Sequence, residues 1–306
     1  MSTAILFVGV GLFLLTLAAD RFVTAAARLA KEWGMSQILI GAVVVGMGTS
    51  APEFIVSVVG GGKSFDLAFG NIAGSNIANL SVVLGASVIV SAIVGQRTIL
   101  RREGFLMFLA VALFGAFMWD GGLTRFEGGI LAGAAALSGY LLARWSTGES
   151  EVDEALEGDF RIPTELLAGA LTLVIMLVGA QLLASGALDI AHILGVSEGF
   201  IGLTVVAVGT SLPELATAIA AARRRQNDLV IGNLLGSNLF NSLVVGAGVG
   251  LIRPGVADDP VRGSILVMIG IAALAGTLLN TGDRLVRSEG VALLAVYGGY
   301  LTWLAV

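Results

Sequence analysis

The chain has 306 residues, of which 56% are hydrophobic and only 13% charged, and its mean hydropathy is +0.93. Because soluble domains carry about 25% charged residues, this composition excludes an ordinary soluble protein. The absence of cysteine excludes disulfides, thiolate metal sites and thiol nucleophiles. The net charge of −5 does not indicate a partner, since the acidic residues concentrate in one loop, and we expect no nucleic-acid binding.

Ten apolar segments follow one another along the chain, most of them near the length that a helix needs to cross a bilayer. They lack the residue-by-residue alternation of β-barrel strands. Basic residues follow the first segment rather than precede it, so we interpret it as a retained helix and not a signal peptide. We therefore predict an all-α polytopic membrane protein whose ten transmembrane helices lie at about 3–20, 36–60, 67–94, 104–119, 126–144, 163–186, 198–222, 229–252, 263–281 and 289–306.

One extended polar stretch separates the fifth segment from the sixth. It covers residues 145–162 and is rich in Glu and Asp, which is typical of a solvated linker. The linker divides the chain into a first five-helix domain, residues 1–144, and a second, residues 163–306.

Two sequence blocks of the first half return in the second half. Residues 48–53 read Gly-Thr-Ser-Ala-Pro-Glu and residues 209–214 read Gly-Thr-Ser-Leu-Pro-Glu, at an offset of 161. A Gly-Asn-x-x-Gly-Ser-Asn-x-x-Asn block at 70–79 returns at 232–241, at an offset of 162. Because each half holds an odd number of segments, the second half crosses the membrane upside down. We therefore predict two inverted-topology repeats with a binding site at the midplane where they meet.

The basic residues predict the orientation, because Lys and Arg concentrate on the cytoplasmic side of membrane proteins. If the N-terminus lies outside, all but four of the 17 Lys and Arg residues fall on the inside. The four outside are Lys63, Arg125, Arg253 and Arg262. We therefore expect a multi-pass protein of the cell membrane with both termini extracytoplasmic and the acidic linker cytoplasmic.

The first block places a carboxylate, Glu53 or Glu214, inside each apolar half. A proline one residue earlier cannot donate a backbone hydrogen bond, so it interrupts the helix, and broken backbone at this depth survives only when buried or lining a wet cavity. Neither segment contains a Lys or Arg to neutralise the acid. Carboxylate, hydroxyl and carbonyl oxygens are ligands for hard cations such as Na⁺ and Ca²⁺. The pattern therefore predicts an intramembrane ion pathway.

The second block supplies further polar groups beside these acids. Ser75 and Asn79 lie four residues apart, so they share one helix face, and Ser237 and Asn241 repeat that spacing. We expect Asn79 and Asn241 to line the ion site. The glycines of the block are typical of close helix packing. The two asparagines that follow the first glycine of each block, Asn71 and Asn233, are interpreted as caps of the helix start.

These motifs resemble the two α-repeats of the sodium/calcium exchangers, within the calcium:cation antiporter superfamily. The resemblance covers both repeats and extends to the ten-helix plan. It implies a secondary antiporter, not an enzyme, that binds Na⁺ and Ca²⁺ as transported ions and uses no cofactor. It implies that Glu53 and Glu214 are shared by both ions and that the middle position is lined by Asn79 and Asn241. The other implied ligands are side-chain or backbone oxygens of Thr49, Ser50, Thr210, Ser211, Ser75 and Ser237 and the backbone carbonyls of Gly46 and Ala207.

The resemblance also implies that the first and sixth helices slide across the other eight to alternate access. Two carboxylates balance one Ca²⁺, whereas roughly three Na⁺ would leave one net positive charge, so we expect electrogenic exchange. A proton- or potassium-coupled divalent cation antiporter remains an alternative, although Asn at both 79 and 241 disfavours potassium coupling. A cation channel is a further alternative, but channels usually gather several subunits around a pore. We expect a functional monomer in the lipid bilayer.

Overall fold

The computed structural model describes residues 1–59, 65–94, 100–145, 160–194, 207–257, 262–281 and 284–304. This part of the chain is almost entirely helical, which confirms the all-α class. Nearly all of the predicted linker, residues 146–159, lies outside the described residues. The helices are α1 (Ser2–Glu32), α2 (Gln37–Thr49), α3 (Ala51–Val58), α4 (Phe65–Val90), α5 (Leu100–Asp120), α6 (Arg125–Trp145), α7 (Ile162–Ile193), α8 (Ala207–Thr210), α9 (Leu212–Arg223), α10 (Asn227–Ile252), α11 (Arg262–Thr281) and α12 (Arg287–Leu304).

Seven of the helices in the described residues are long and apolar enough to cross a membrane. Helices α2 and α3 would add an eighth span, because together they are apolar enough and meet at a bend of 46°. The segment that contains α8 and α9 enters the described part of the chain only at residue 207. A multi-pass membrane protein is therefore confirmed, whereas the arrangement of ten helices in two inverted repeats stays a prediction.

Helices α4 and α10 form the buried centre of the molecule, whereas the other candidate spans bury much less of their surface. Each central helix carries one Gly-Asn block, and each contains a π-helical turn, at Asn79–Val83 in α4 and at Phe240–Val245 in α10. Such wide turns often occur at functional sites. The most buried helices of the protein are therefore also those that carry the repeated polar residues.

Glycines let α2 approach α10 with backbone against backbone. A Cβ on Gly46 would lie 2.8 Å from the backbone nitrogen of Ser237, and one on Gly232 would meet the carbonyl oxygen of Ile38 at 2.5 Å. A Cβ on Gly236 would clash with the backbone of Ala42. The packing role predicted for the glycines of the second block is thus confirmed for Gly232 and Gly236. This approach brings the helix break after α2 close to the centre of α10.

Helices α1 and α7 pack against each other along their length through small residues. A Cβ on Gly11 would lie 2.6 Å from the carbonyl oxygen of Gly179, and one on Gly186 would lie 2.6 Å from that of Ala4. At the other end of the pair, the buried carboxylate of Glu165 lies 2.6 Å from a guanidinium nitrogen of Arg21 and equally close to one of Arg28. The two helices are therefore joined by both backbone packing and ion pairs. The side chains of Arg21 and Arg28 are otherwise partly exposed.

Two short β-contacts join the halves of the chain, and they are related by the repeat. Strands β1 (Gly122–Leu123) and β2 (Gly255–Val256) pair antiparallel, with Leu123 opposite Gly255. An antiparallel bridge joins Ile93 to Leu285. The offset of 162 residues that relates the second blocks maps Ile93 onto Gly255 and Leu123 onto Leu285. The same contact is therefore made twice, with the roles of the two halves reversed, as expected when two similar halves face each other.

Replacing Gly11 with Ala is expected to lower stability by about 1–3 kcal/mol, because the new methyl group collides with the backbone of α7 and overpacking a rigid contact carries that cost. Gly9, two residues earlier on the same helix, is the matched control, since a Cβ there meets nothing within 4 Å. Thermal unfolding of the purified protein in detergent measures both variants. Equal melting temperatures for Gly11→Ala and Gly9→Ala would contradict the close packing of α1 on α7.

Candidate ion-binding site

The two Gly-Thr-Ser-x-Pro-Glu motifs break their helices at the same residue. Ser50 lies between α2 and α3 with φ −83° and ψ 9°, and Ser211 lies between α8 and α9 with φ −85° and ψ 7°. The proline of each motif falls in the first turn of the next helix, where its missing amide hydrogen costs least. Glu53 and Glu214 also lie in that first turn, where the helix dipole favours negative charge.

Each carboxylate is held by the serine of the opposite half. The Ser50 hydroxyl donates to Oε1 of Glu214 at 2.7 Å, and the Ser211 hydroxyl donates to Oε1 of Glu53 at 3.4 Å. Both glutamates are buried, with exposed fractions of 0% and 1%. Among the described residues, no Lys, Arg or His lies within ion-pair distance of either acid. The two carboxyl groups are thus bonded to hydroxyl dipoles rather than paired with a basic side chain.

Unpartnered oxygen atoms accompany these carboxylates. Asn79 and Asn241 are both 0% exposed, and neither the oxygen nor the nitrogen of either amide has a hydrogen-bond partner among the described residues. The second carboxylate oxygens, Oε2 of Glu53 and of Glu214, also have none. Buried polar atoms are nearly always satisfied in proteins, so these exceptions need a physical reason. Hard cations such as Na⁺ and Ca²⁺ take amide and carboxylate oxygens as ligands, and the donor set fits them.

The site draws on few formal charges. Among the described residues, no group of three or more His, Cys, Asp or Glu side chains lies close enough to hold a metal ion. Two carboxylates and several neutral oxygens would bind a cation less permanently than a dense acidic cluster, because affinity for hard cations depends on the number of charged ligands. This composition suits an ion that must leave again.

Asn71 and Asn233 do not cap their helices, so that prediction was wrong. The helices begin at Phe65 and Asn227, which leaves both asparagines buried in the interior. The amide nitrogen of Asn71 donates to the carbonyl oxygen of Glu53 at 3.2 Å, and that of Asn233 donates to the carbonyl oxygen of Glu214 at 3.3 Å. Each amide therefore fixes the backbone of a carboxylate residue to a central helix.

Sequence analysis missed this role, although one signal was present. The sequence repeats an asparagine in the middle of two apolar helices, where an unsatisfied amide is expensive. Each amide also donates to a hydroxyl on the helix of the anchored glutamate. Asn71 bonds Ser57 at 2.9 Å, and Asn233 bonds Thr217 at 3.1 Å. The repetition alone could have indicated a shared anchoring function.

The two predicted threonines are placed differently. The Thr210 hydroxyl donates to the amide oxygen of Asn71 at 3.2 Å, so it reaches across to the first half. The Thr49 hydroxyl instead donates to carbonyl oxygens of its own helix, to Val45 at 2.8 Å and to Gly46 at 3.3 Å. Both threonines are buried beside the helix breaks. The two halves are therefore not equivalent in this conformation.

The two serines of the second block lie around the same centre. The Ser75 hydroxyl lies 3.4 Å from that of Thr210, and the Ser237 hydroxyl donates to the carbonyl oxygen of Gly46 at 3.3 Å. Ser75 and Ser237 are fully buried. Ala207 is the first residue of α8. The structure thus brings together hydroxyl, amide and carboxylate groups from both halves.

Comparison with known proteins places this site in a family. The sequence profile of the sodium/calcium exchanger protein family matches residues 3–143 and 165–306. The chain belongs to this family. The matched ranges include both motifs and both Gly-Asn blocks and leave out the central linker.

Members of the family resemble this chain over nearly its whole length. The putative antiporter CaxA of Alkalimonas amylolytica is 38% identical, with 98% of each chain covered. The sodium/calcium exchanger MaX1 of Methanosarcina acetivorans is 29% identical over 95% of each chain. A solved structure of the sodium-calcium exchanger NCX_Mj, soaked with 2.5 mM Na⁺ and 1 mM Sr²⁺, superposes with a TM-score of 0.86 at 28% identity over 98% of each chain.

Replacing Glu53 or Glu214 with Gln is expected to abolish measurable Ca²⁺ binding, because one of two charged ligands is lost while the volume and fold are kept. Isothermal titration with Ca²⁺ measures the binding, and the melting temperature checks the fold. Glu127→Gln is the control, since within the described ranges that carboxylate bonds only to Thr124 at the start of α6. Near-normal Ca²⁺ binding by either site variant would remove these glutamates from the ligand set.

Proposed function

We propose that the protein is a secondary antiporter that exchanges Na⁺ for Ca²⁺ across the cell membrane by alternating access. Membership of the sodium/calcium exchanger family supports the class of activity, and the names of MaX1 and NCX_Mj support the pair of ions. The donor set of the buried site is consistent with both ions, because all its ligands are hard oxygens.

One observation carries the proposal more than any other. Glu53 and Glu214 are buried without a basic partner, and each accepts a hydrogen bond from the serine of the opposite half. A purely structural acid in a membrane normally pairs with a base. Two acids facing the same centre instead offer two negative charges that one divalent cation neutralises. This favours exchange of one cation for another over release without replacement, because an empty site would leave two uncompensated charges in a medium of low dielectric constant.

The ligand set is proposed to comprise side-chain and backbone oxygens from both repeats. Glu53 and Glu214 serve both ions, and the amides of Asn79 and Asn241 line the middle position. The flanking positions use hydroxyl groups and the carbonyl oxygens that precede each helix break. These flanking ligands are Thr49, Ser50, Ser75, Gly46, Thr210, Ser211, Ser237 and Ala207.

The architecture proposed for this activity is ten transmembrane helices in two inverted repeats, residues 1–144 and 163–306, joined by the cytoplasmic linker 145–162. Both termini are extracytoplasmic. The contact that recurs as Leu123–Gly255 and Leu285–Ile93 supports the repeat. Because one chain supplies the ligands of both halves, a monomer is sufficient. The protein acts as a transporter rather than an enzyme and needs no cofactor.

Proteoliposomes loaded with Na⁺ are expected to accumulate radioactive Ca²⁺ when diluted into Na⁺-free buffer, because outward Na⁺ flow drives Ca²⁺ inward. Vesicles loaded with Li⁺ or K⁺, and vesicles with a proton gradient alone, are the controls for the coupling ion. The Glu53→Gln variant controls for leak. Uptake driven by the proton gradient and not by Na⁺ would replace Na⁺ with H⁺ as the coupling ion.

Exchange is expected to move net charge, since two carboxylates balance one Ca²⁺ but not roughly three Na⁺, and one charge crossing the membrane is worth about 2.3 kcal/mol per 100 mV. A potential that is positive inside, set with K⁺ and valinomycin, favours the outward movement of this net positive charge. It should therefore raise the Ca²⁺ uptake that Na⁺ efflux drives. A potential that is negative inside should reduce it. A rate of Ca²⁺ uptake that does not change with the membrane potential would indicate electroneutral exchange.

A further inference from the structure

The contacts that hold the two glutamates are repeated in both halves. In each half an asparagine of the central helix donates to the backbone carbonyl of the glutamate, from Asn71 in one half and Asn233 in the other. In each half a serine at the helix break donates to the opposite carboxylate. This frame of donors is symmetric, so it does not favour access from one side over the other.

One hydrogen bond between the halves is made on one side and not on the other. The Thr210 hydroxyl donates to Oδ1 of Asn71 at 3.2 Å. Its repeat counterpart, Thr49, donates to carbonyl oxygens of its own helix, and Oδ1 of Asn233 is buried with no partner in the part of the chain that the structure describes. The orientation of both amides is set by chemistry, because their nitrogens face backbone carbonyls, which only accept. The structure therefore holds one threonine–asparagine bond and lacks its counterpart.

A cavity on one side of the molecule lies beside the second half, which supplies the threonine of this bond. Its volume is about 190 Å³, and it opens between α1, α7 and α9 beside the residues that flank Glu214. Its walls include Leu212, Leu215 and Ala216, and Asp20 and Arg223 lie at one end. We expect that end to be cytoplasmic from the distribution of basic residues. The Thr210–Asn71 bond thus accompanies a conformation with a cavity beside the second repeat.

We propose that the threonine–asparagine bond is exchanged for its repeat counterpart during transport, so that Thr210–Asn71 is made in the conformation described here and Thr49–Asn233 is made in the opposite one. The inference rests on the proposed function and on the inverted repeat. In a protein of two similar halves, the opposite-facing state arises when each half adopts the conformation of the other. The unpaired oxygen of Asn233 is then satisfied at the moment when that of Asn71 loses its partner.

Asn71 and Asn233 are, on this view, positioning residues for transport. Each end state leaves one buried amide oxygen unsatisfied, which costs free energy. This cost is the same in the two end states. Neither conformation is therefore strongly favoured by this pair, and ion binding can decide between them. An element with two discrete arrangements of similar energy is what a two-state transporter requires.

The absence of cysteine from the chain allows a direct test with single-cysteine reporters. Ala216→Cys lies on the wall of the cavity and reports the conformation described here. Ala51→Cys is the repeat counterpart of Leu212, another wall residue, and reports the opposite conformation. Reaction of each reporter with a water-soluble maleimide is followed in detergent, in choline buffer without Na⁺ or Ca²⁺, so that lost ion contacts do not contribute.

Thr210→Val is expected to raise the labelling rate of Ala51→Cys relative to Ala216→Cys about fivefold, the change in population that one ordinary hydrogen bond controls. Thr49→Val is expected to shift the same ratio in the opposite direction. Thr210→Ser, which keeps the hydroxyl, is expected to restore the parent ratio. If a valine variant does not fold, Thr210→Ala and Thr49→Ala make the same comparison.

Shifts of the two threonine variants in the same direction, or no shift in either, would overturn the exchange of bonds. Labelling requires no transport, so the result is separate from the proposed function. Parent protein that exchanges Na⁺ for Ca²⁺ but shows no opposed shifts would refute this inference alone. If the parent protein fails to transport Ca²⁺ under every ion gradient tested, the proposed function is refuted, whatever the labelling shows.

Discussion

The structure depends on two carboxylates that lie in the interior of a membrane protein without a basic partner. Burying an unpaired charge in a medium of low dielectric constant is expensive unless hydrogen-bond donors surround it. Here those donors come from the opposite half, since Ser50 serves Glu214 and Ser211 serves Glu53. The halves cannot separate without stranding both charges, so the same contact that completes the site also joins the repeats.

Several features of the fold follow from that constraint. Donors from one half reach the other only if the helices approach closely, and glycines such as Gly46, Gly232 and Gly236 permit backbone contact between α2 and α10. The helix breaks at Ser50 and Ser211 turn the carboxylates into the first turn of a new helix, where the dipole is favourable. The two central helices are the most buried because they supply donors to both sides.

The site combines contacts that are the same in both halves with contacts that differ between them. The amide nitrogens of the asparagines that anchor the glutamate backbones are paired in the same way in both halves, which gives a frame that stays constant. The threonines are not paired identically, and α1 and α7 are joined to each other by small-residue packing and by the Glu165 ion pairs. A constant frame beside an asymmetric pair of contacts is the combination expected of a protein with two conformations of similar energy.

The amino-acid sequence by itself determined the membrane class, the repeated motifs and the identity of the two acids, because apolar length, helix-breaking proline and an unpaired intramembrane glutamate are local properties of the chain. Most of the proposed ligands, including Asn79 and Asn241, were also indicated by their position in a repeat. Where the structure describes them, most helix edges were predicted to within a few residues, but α1 continues to Glu32 and α7 continues to Ile193, well beyond the apolar bodies that the sequence shows. The last part of α1 is buried against other helices.

Only the tertiary structure decided which donor serves which acceptor. The sequence pattern interpreted Asn71 and Asn233 as caps, because a local pattern contains no information about a carbonyl on another helix. It could not predict that each serine would bind the carboxylate of the opposite repeat, nor that Thr210 would reach Asn71 while Thr49 bonds within its own helix. A repeat predicts two equal halves, and the difference between them arises only when both are packed against each other in one conformation.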